Sequence, residues 1–97
     1  MATYVVLVSF TEQGIRNIKQ TTERAKAVSA AAAKLGIKIK DTYWTMGQYD
    51  AVFVAEAAND ETLTTLALSV GSLGNVRTHT MRAYSADEMN KILAKLP

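Results

Sequence analysis

The chain has 97 residues, a length that suits one small domain and excludes two. Its residues are 48% hydrophobic and 21% charged, which is typical of a globular protein. It has no cysteine, which excludes disulfides and thiol chemistry and favours a reducing compartment, so we expect a cytoplasmic protein. The net charge of +2 is spread along the chain, so we expect no nucleic-acid partner. No apolar run approaches the roughly 20 residues of a membrane span and the start lacks a basic, signal-like segment, so we expect no membrane partner.

The first predicted element is a strand over residues 4–10, which is rich in valine and apolar on both alternating faces. That pattern is typical of a central strand. Thr11 is predicted to cap a short helix, which Gly14 weakens. Thr21 is predicted to be the N-cap of a longer, alanine-rich helix that ends in a left-handed Gly36.

Two strands joined by a turn follow. Residues 37–44 begin by alternating apolar residues with lysines, which predicts an edge strand because edge lysines discourage pairing with other chains. The turn at residues 45–50 is predicted around Gly47. Residues 51–55 are apolar on both faces, which predicts a second central strand, and Glu56 interrupts that apolar pattern.

The last third of the chain predicts a helix, a strand and a terminal helix. Asn59 is predicted to cap the helix and Gly71 to end it. The strand at residues 76–84 is rich in threonine and interrupted by polar residues, which predicts the other edge. Ser85 and Glu88 have the spacing of a capping box. The apolar stripe of the terminal helix consists of Met89, Ile92, Leu93 and Leu96.

The order of elements predicts a ferredoxin-like α+β sandwich, βαββαβ plus a C-terminal helix. Right-handed crossovers give an antiparallel sheet in the order 4-1-3-2 with the helices on one face. The first and third strands are apolar on both faces, and this topology puts those two strands in the centre. Helices cover only one face of the sheet, so we expect a homo-oligomer formed through the other face or through an edge.

Three motifs resemble the GYD-domain family. They are Tyr43-Trp44-Thr45-Met46-Gly47-Gln48-Tyr49-Asp50, Glu56-Ala57, and Gly71-Ser72-Leu73-Gly74-Asn75-Val76-Arg77-Thr78. Gly47, Tyr49 and Asp50 match the residues that name the family, here with Gln48 inserted, and the similarity runs from Gly14 to the final helix. The resemblance implies a small bacterial or archaeal protein with a single ferredoxin-like domain at residues 1–97, and it implies no particular reaction.

Several polar residues are candidates for chemistry. Tyr49 and Asp50 are adjacent on a strand and point to opposite faces, so we do not expect them to form an acid-base pair. We expect Tyr49 to pack and Asp50 to accept backbone N–H bonds, with ligand binding as the alternative. Glu56 needs a cation or donors, for which Arg77, Arg82 or a helix amide are candidates, and a buried structural pair is preferred over a catalytic base.

His79 is the only histidine, so one subunit cannot build a multi-histidine metal site, and we predict no metal. A solvent-facing histidine on an edge strand is the favoured interpretation, with a symmetric metal site or a haem ligand as the alternatives. Trp44 either packs against a helix or lines a cleft. The glycine-containing loop at residues 71–75 leaves a helix and enters a strand, so it is not predicted to cradle a phosphate.

The sequence therefore leaves three hypotheses open. The preferred one is a non-catalytic homo-oligomeric module that binds a small-molecule ligand or a partner at the sheet or subunit interface. The alternatives are a small enzyme of the dimeric α+β barrel type, which fold analogy relates to oxygenases and to haem or ligand binders, and a purely structural assembly unit. No catalytic residue or cofactor is predicted. The candidate ligand-binding residues are Trp44, Tyr49, Asp50, Glu56, Arg77 and His79, and the residues with a structural role in the turn and loop are Gly47, Gln48, Tyr49, Asp50, Gly71, Gly74 and Asn75.

Overall fold

A computed structural model describes all 97 residues. Its elements are β1 (Ala2–Phe10), α1 (Glu12–Arg16), a 3-10 turn (Ile18–Gln20), α2 (Thr21–Lys34), β2 (Lys38–Trp44), β3 (Ala51–Ala57), α3 (Asp60–Ser72), β4 (Val76–Ala83) and α4 (Ala86–Leu93). None of these helices combines the length and the apolar character that crossing a membrane would require.

The four strands form one sheet in the order β2-β3-β1-β4, in which every neighbouring pair is antiparallel. This is the predicted order, and it confirms the ferredoxin-like α+β fold. The register places Leu7 of β1 opposite Val52 of β3 on one side and His79 of β4 on the other. The two strands that are apolar on both faces, β1 and β3, are the central pair of the sheet, as predicted.

The core lies between the sheet and the helices α2 and α3. Tyr4, Val6 and Val8 alternate along β1 and are 3%, 1% and 7% exposed, so they define the face that the helices cover. Ala32 of α2 and Leu66 of α3 are buried against this face. Only 11 of the 97 residues are buried. Each large core side chain therefore matters, and truncation of Leu66 to alanine is expected to cost about 2–5 kcal/mol.

The N-caps of α1, α3 and α4 agree with the prediction. The Thr11 hydroxyl accepts a hydrogen bond from the Gly14 amide at 3.1 Å, and the Asn59 side chain accepts one from the Thr62 amide at 2.9 Å. In α4 the capping box is complete, with Ser85 as its N-cap. These caps are local, because residues three apart satisfy each other, and so sequence spacing alone identifies them.

Two predicted helix boundaries are wrong. Thr21 is the first residue of α2 rather than its N-cap, because its hydroxyl accepts a hydrogen bond from the Trp44 indole instead of from its own helix. Gly71 does not end α3 but lies inside its last turn. The left-handed residue after that helix is Gly74, with φ of +86°. Its amide donates to the Gly71 carbonyl at 3.0 Å, which closes the helix end.

The terminal helix α4 is amphipathic, yet none of its residues is buried. Met89, Ile92 and Leu93 lie on its apolar side and are 45%, 39% and 49% exposed. Leu96 was predicted to belong to this helix, but α4 ends at Leu93, and Leu96 follows it with 64% exposure. We call these four residues the α4 stripe. The radius of gyration of the chain is 14.6 Å, larger than the roughly 12.5 Å of a compact domain of this length. The α4 stripe is therefore an apolar surface that has no extensive contact within its own chain.

Candidate functional site

The turn between β2 and β3 is closed by its own backbone. Gly47 adopts a φ of +112°, a left-handed conformation that favours glycine. The Thr45 amide donates to the Asp50 carbonyl at 2.9 Å, and the Thr45 hydroxyl donates to the Tyr49 carbonyl at 2.6 Å. Gln48 is exposed at the tip. The turn is thus a compact loop with a fixed geometry.

Asp50 joins this turn to the neighbouring strand. Its carboxylate Oδ2 accepts a hydrogen bond from the Phe10 amide at 2.8 Å. Its own amide donates to the Val8 carbonyl, also at 2.8 Å. Asp50 therefore lies just before β3, bonds the end of β1 through its own amide, and uses its side chain to satisfy the last amide of β1. The carboxylate is occupied by a structural contact in the free chain.

Tyr49 lies next to His79. The two ring centroids are 5.7 Å apart and the ring planes meet at 67°, an edge-to-face arrangement. His79 is opposite Leu7 in the register, on the side of the sheet that the helices do not cover. Tyr49 thus packs over that side, whereas the Asp50 carboxylate reaches the end of β1.

The uncovered side of the sheet has an apolar centre, which we call the open face. Its central residues are Val5, Leu7, Val52 and Val54, which are half-buried by their neighbours in the sheet alone. On the edge strands, Tyr43 is 61% exposed and Met81 is 48% exposed. They are opposite Val52 and Val5 in the register, so they extend the same apolar surface.

Glu56 and Arg77 lie at opposite ends of the open face. Glu56 is opposite Thr3 and Lys38, whereas Arg77 is opposite Ser9. Six residues along β1 separate the two positions, which corresponds to about 20 Å. No carboxylate or cation lies within salt-bridge distance of either side chain. The expected pairing of Glu56 with an arginine is therefore wrong.

Arg82 is on the other side of the sheet, where it anchors the start of α4. It is opposite Tyr4 in the register, and its guanidinium lies 4.5 Å from the centroid of the Tyr84 ring and 3.5 Å from the Glu88 carboxylate. The backbone hydrogen bond from Ser85, together with Arg82, lowers the pKa of Glu88 below its usual value.

Tyr4 makes a second polar contact beside Arg82. Its hydroxyl donates a hydrogen bond to the Asp60 carboxylate at the start of α3. This bond, followed by desolvation, raises the pKa of the Tyr4 hydroxyl. The pKa rises because a phenol that donates to a carboxylate is stabilised in its protonated form. The same contact links the first turn of α3 to the sheet.

A cavity of about 170 Å³ lies between the sheet and the helices α2 and α3. Trp44 is the only predicted ligand-binding residue that lines it, and the Trp44 indole Nε1 donates to the Thr21 hydroxyl at 2.9 Å. Arg24 is the only charged residue of the lining. Arg24 was not among the predicted site residues, because the cavity results from small alanine side chains on α2 that meet distant strands.

A junction between α1 and the loop before β4 was also missed. The Thr11 amide donates to the Asn75 carbonyl at 3.1 Å, and the Gln13 side chain donates to the Asn75 side chain at 3.0 Å. The Thr11 hydroxyl donates to the Gly74 carbonyl at 2.6 Å. Gly14 is buried here, and a Cβ atom on it would lie 2.1 Å from the Asn75 carbonyl oxygen. This contact explains why the short helix contains a glycine.

Comparison with known proteins gives a family and a relative from Thermus thermophilus. A family model described as the GYD domain matches residues 4–93, which confirms the resemblance carried by the turn and loop motifs. A Thermus thermophilus protein named glutamine synthetase and cystathionine beta-lyase binding protein is 32% identical over 90 residues, which cover 92% of this chain and 95% of that protein.

Two solved structures show the same fold. The crystal structure of a Thermus thermophilus protein is 27% identical, with a TM-score of 0.58, and the match covers 89% of this chain and 96% of that one. An ACT domain protein from Streptococcus pneumoniae is 22% identical, with a TM-score of 0.51, and the match covers 86% of this chain and 90% of that one. The second likeness concerns the fold alone.

Proposed function

We propose that this chain, which belongs to the GYD domain family, is a cytoplasmic, non-catalytic binding module that pairs with a second copy of itself and binds an enzyme. The observation that carries the proposal is the open face, an apolar sheet surface that no helix of the chain covers. The partner on this face is the second copy, and the α4 stripe is the surface for the enzyme.

The size of the open face supports pairing with a second copy. Four strands spaced by about 4.8 Å, each contributing about eight residues of about 3.3 Å, give a face of about 500 Å². Two such faces bury about 1,000 Å² in total, which reaches the lower limit of specific protein interfaces. The small number of buried residues in the single chain supports the same conclusion, because a second sheet would add a second core layer.

The dispersion of the candidate acid-base groups favours binding over catalysis. General acid-base catalysis needs groups within hydrogen-bond reach of one substrate. Glu56 and Arg77 are about 20 Å apart along the strands, and the Asp50 carboxylate is already held by the Phe10 amide. The remaining pair, Tyr49 and His79, is an edge-to-face aromatic contact.

The α4 stripe suits a protein groove. Met89, Ile92 and Leu93 have the i, i+3, i+4 spacing with which an amphipathic helix docks into a hydrophobic groove, and Leu96 lies just beyond the end of the helix. The Thermus thermophilus relative is named for the two enzymes that it binds. We therefore infer that the partner of this chain is an enzyme of the same kind, glutamine synthetase or cystathionine beta-lyase.

Calorimetric titration with each of the two purified enzymes from the same source organism tests the proposal. We expect the chain to bind at least one of them, and we expect Leu93→Glu in the α4 stripe to weaken binding by tenfold or more. The matched control is Asn90→Glu, which places the same charge on the polar side of α4 and should bind normally. A chain that pairs with itself but binds neither enzyme would instead support the structural assembly unit.

A further inference from the structure

The cavity between the sheet, α2 and α3 has the chemistry of a ligand site. Its lining comprises 20 residues, among them Arg24, Ala25, Ala31, Trp44 and Phe53. Thirteen of these 20 residues are hydrophobic, and none is acidic. The space opens to solvent on one side, so an apolar ligand group that enters it displaces water from a mainly apolar lining.

The volume of the cavity matches an aromatic ring. An enclosed apolar cavity of about 150 Å³ in another protein binds benzene, and the cavity in this chain, which opens to solvent, measures about 170 Å³. The space exists because α2 faces the sheet with alanines, among them Ala25 and Ala31, where larger side chains would have closed it. Trp44 and Phe53 provide aromatic surface for a planar ligand.

Arg24 gives the cavity one fixed positive charge. Its guanidinium donates from Nη1 to the Asn17 carbonyl at 2.7 Å and from Nη2 to the Gly14 carbonyl at 3.3 Å. No carboxylate pairs with it. A guanidinium has five N–H donors, so about three remain for a ligand. The two carbonyls hold the group in place, which reduces the entropy lost when it binds an anion.

We propose that this cavity binds a small monocarboxylate with an aromatic or ring-sized apolar body. The ring fills the space beside Trp44, and the carboxylate accepts hydrogen bonds from Arg24. The apolar lining recognises the body by desolvation, and the unpaired guanidinium selects an anion over a neutral molecule. This site is on the helical side of the sheet, away from the open face, so the inference is independent of the proposed function.

Trp44 is the only tryptophan of the chain, so its fluorescence reports on the cavity directly. The probes are benzoate, phenylacetate and 3-phenylpropionate, each titrated into the full chain and compared with the corresponding neutral amide. We expect a saturable change in Trp44 emission with at least one acid, and binding at least about tenfold weaker for its amide, because the amide offers Arg24 a neutral acceptor in place of a charged one.

Two pairs of variants locate the site. Arg24→Gln should weaken binding of the acid by about tenfold or more and leave binding of the amide unchanged, whereas the exposed control Lys26→Gln should change neither. Ala25→Leu fills the cavity and should abolish binding, whereas the matched Ala30→Leu, on an exposed part of α2 outside the lining, should not.

Three results would overturn the inference. The first is that no acid gives a saturable change. The second is that an amide binds as tightly as its acid, and the third is that Arg24→Gln binds the acid as tightly as the original chain. If Ala25→Leu does not fold, the amide comparison and Arg24→Gln decide the matter without it.

Discussion

Replacement of Gly14 by alanine is the sharpest test of how the fold is held together. The new Cβ atom would lie 2.1 Å from the Asn75 carbonyl oxygen and 3.1 Å from its carbon. Backbone on both sides has to move by about 1 Å to relieve this clash, which costs about 1–3 kcal/mol. That movement also weakens the hydrogen bond from the Thr11 amide to Asn75, at a cost of about 0.5–1.5 kcal/mol.

Alanine stabilises a helix by about 1 kcal/mol relative to glycine, which offsets part of this cost. The net loss is therefore about 2 kcal/mol, or a fall in the melting temperature of about 8–16 °C for a domain of this size. Thermal and urea unfolding followed by circular dichroism measures it. Gly71→Ala is the matched control, because no atom lies within 4 Å of its added Cβ, and it should be as stable as the original chain or more so. A Gly14→Ala chain with unchanged or higher stability would refute the reasoning.

Two further outcomes follow from the polar contacts. Asp50→Ala leaves the Phe10 amide without its acceptor and should destabilise the chain by about 1–3 kcal/mol in urea unfolding; Asp50→Asn should cost less, and the exposed Gln48→Ala should stay within about 0.5 kcal/mol. Because the pKa of Glu88 is lowered from 4.5, its contribution to the stability of α4 is present above that value and is lost as the pH falls through the lowered pKa. Limited proteolysis should therefore release α4 in acid, and Glu88→Gln should show weaker pH dependence; release that does not change with pH would contradict this account.

Much of the fold was predictable because its determinants are local or periodic. The two-faced apolar strands identified β1 and β3 as central, and the chain order together with right-handed crossovers then gave the whole sheet. Thr11, Asn59 and Ser85 were identified as caps because each bonds an amide three residues away. Tyr49 and Asp50 make different contacts, but both precede β3, which begins at Ala51, so strand alternation does not account for this.

The features that sequence reasoning missed are contacts between distant segments. Gly14 looked like a weak point of a short helix, since nothing in the sequence indicates that Asn75 approaches it. Thr21 looked like a cap, but its hydroxyl accepts a hydrogen bond from the Trp44 indole. Arg24 is one of several cations on α2, and only the folded chain shows that it lies at a cavity without a carboxylate partner.

The mass of the chain in solution tests the central claim most directly. Light scattering at micromolar concentration should give twice the 10.5 kDa mass of the chain. Leu7→Lys, which puts a charge at the centre of the open face, should give the single mass. Thr65→Lys, on an exposed part of α3, should keep the doubled mass. A single mass for the original chain, or an unchanged doubled mass for Leu7→Lys, would contradict pairing through the open face.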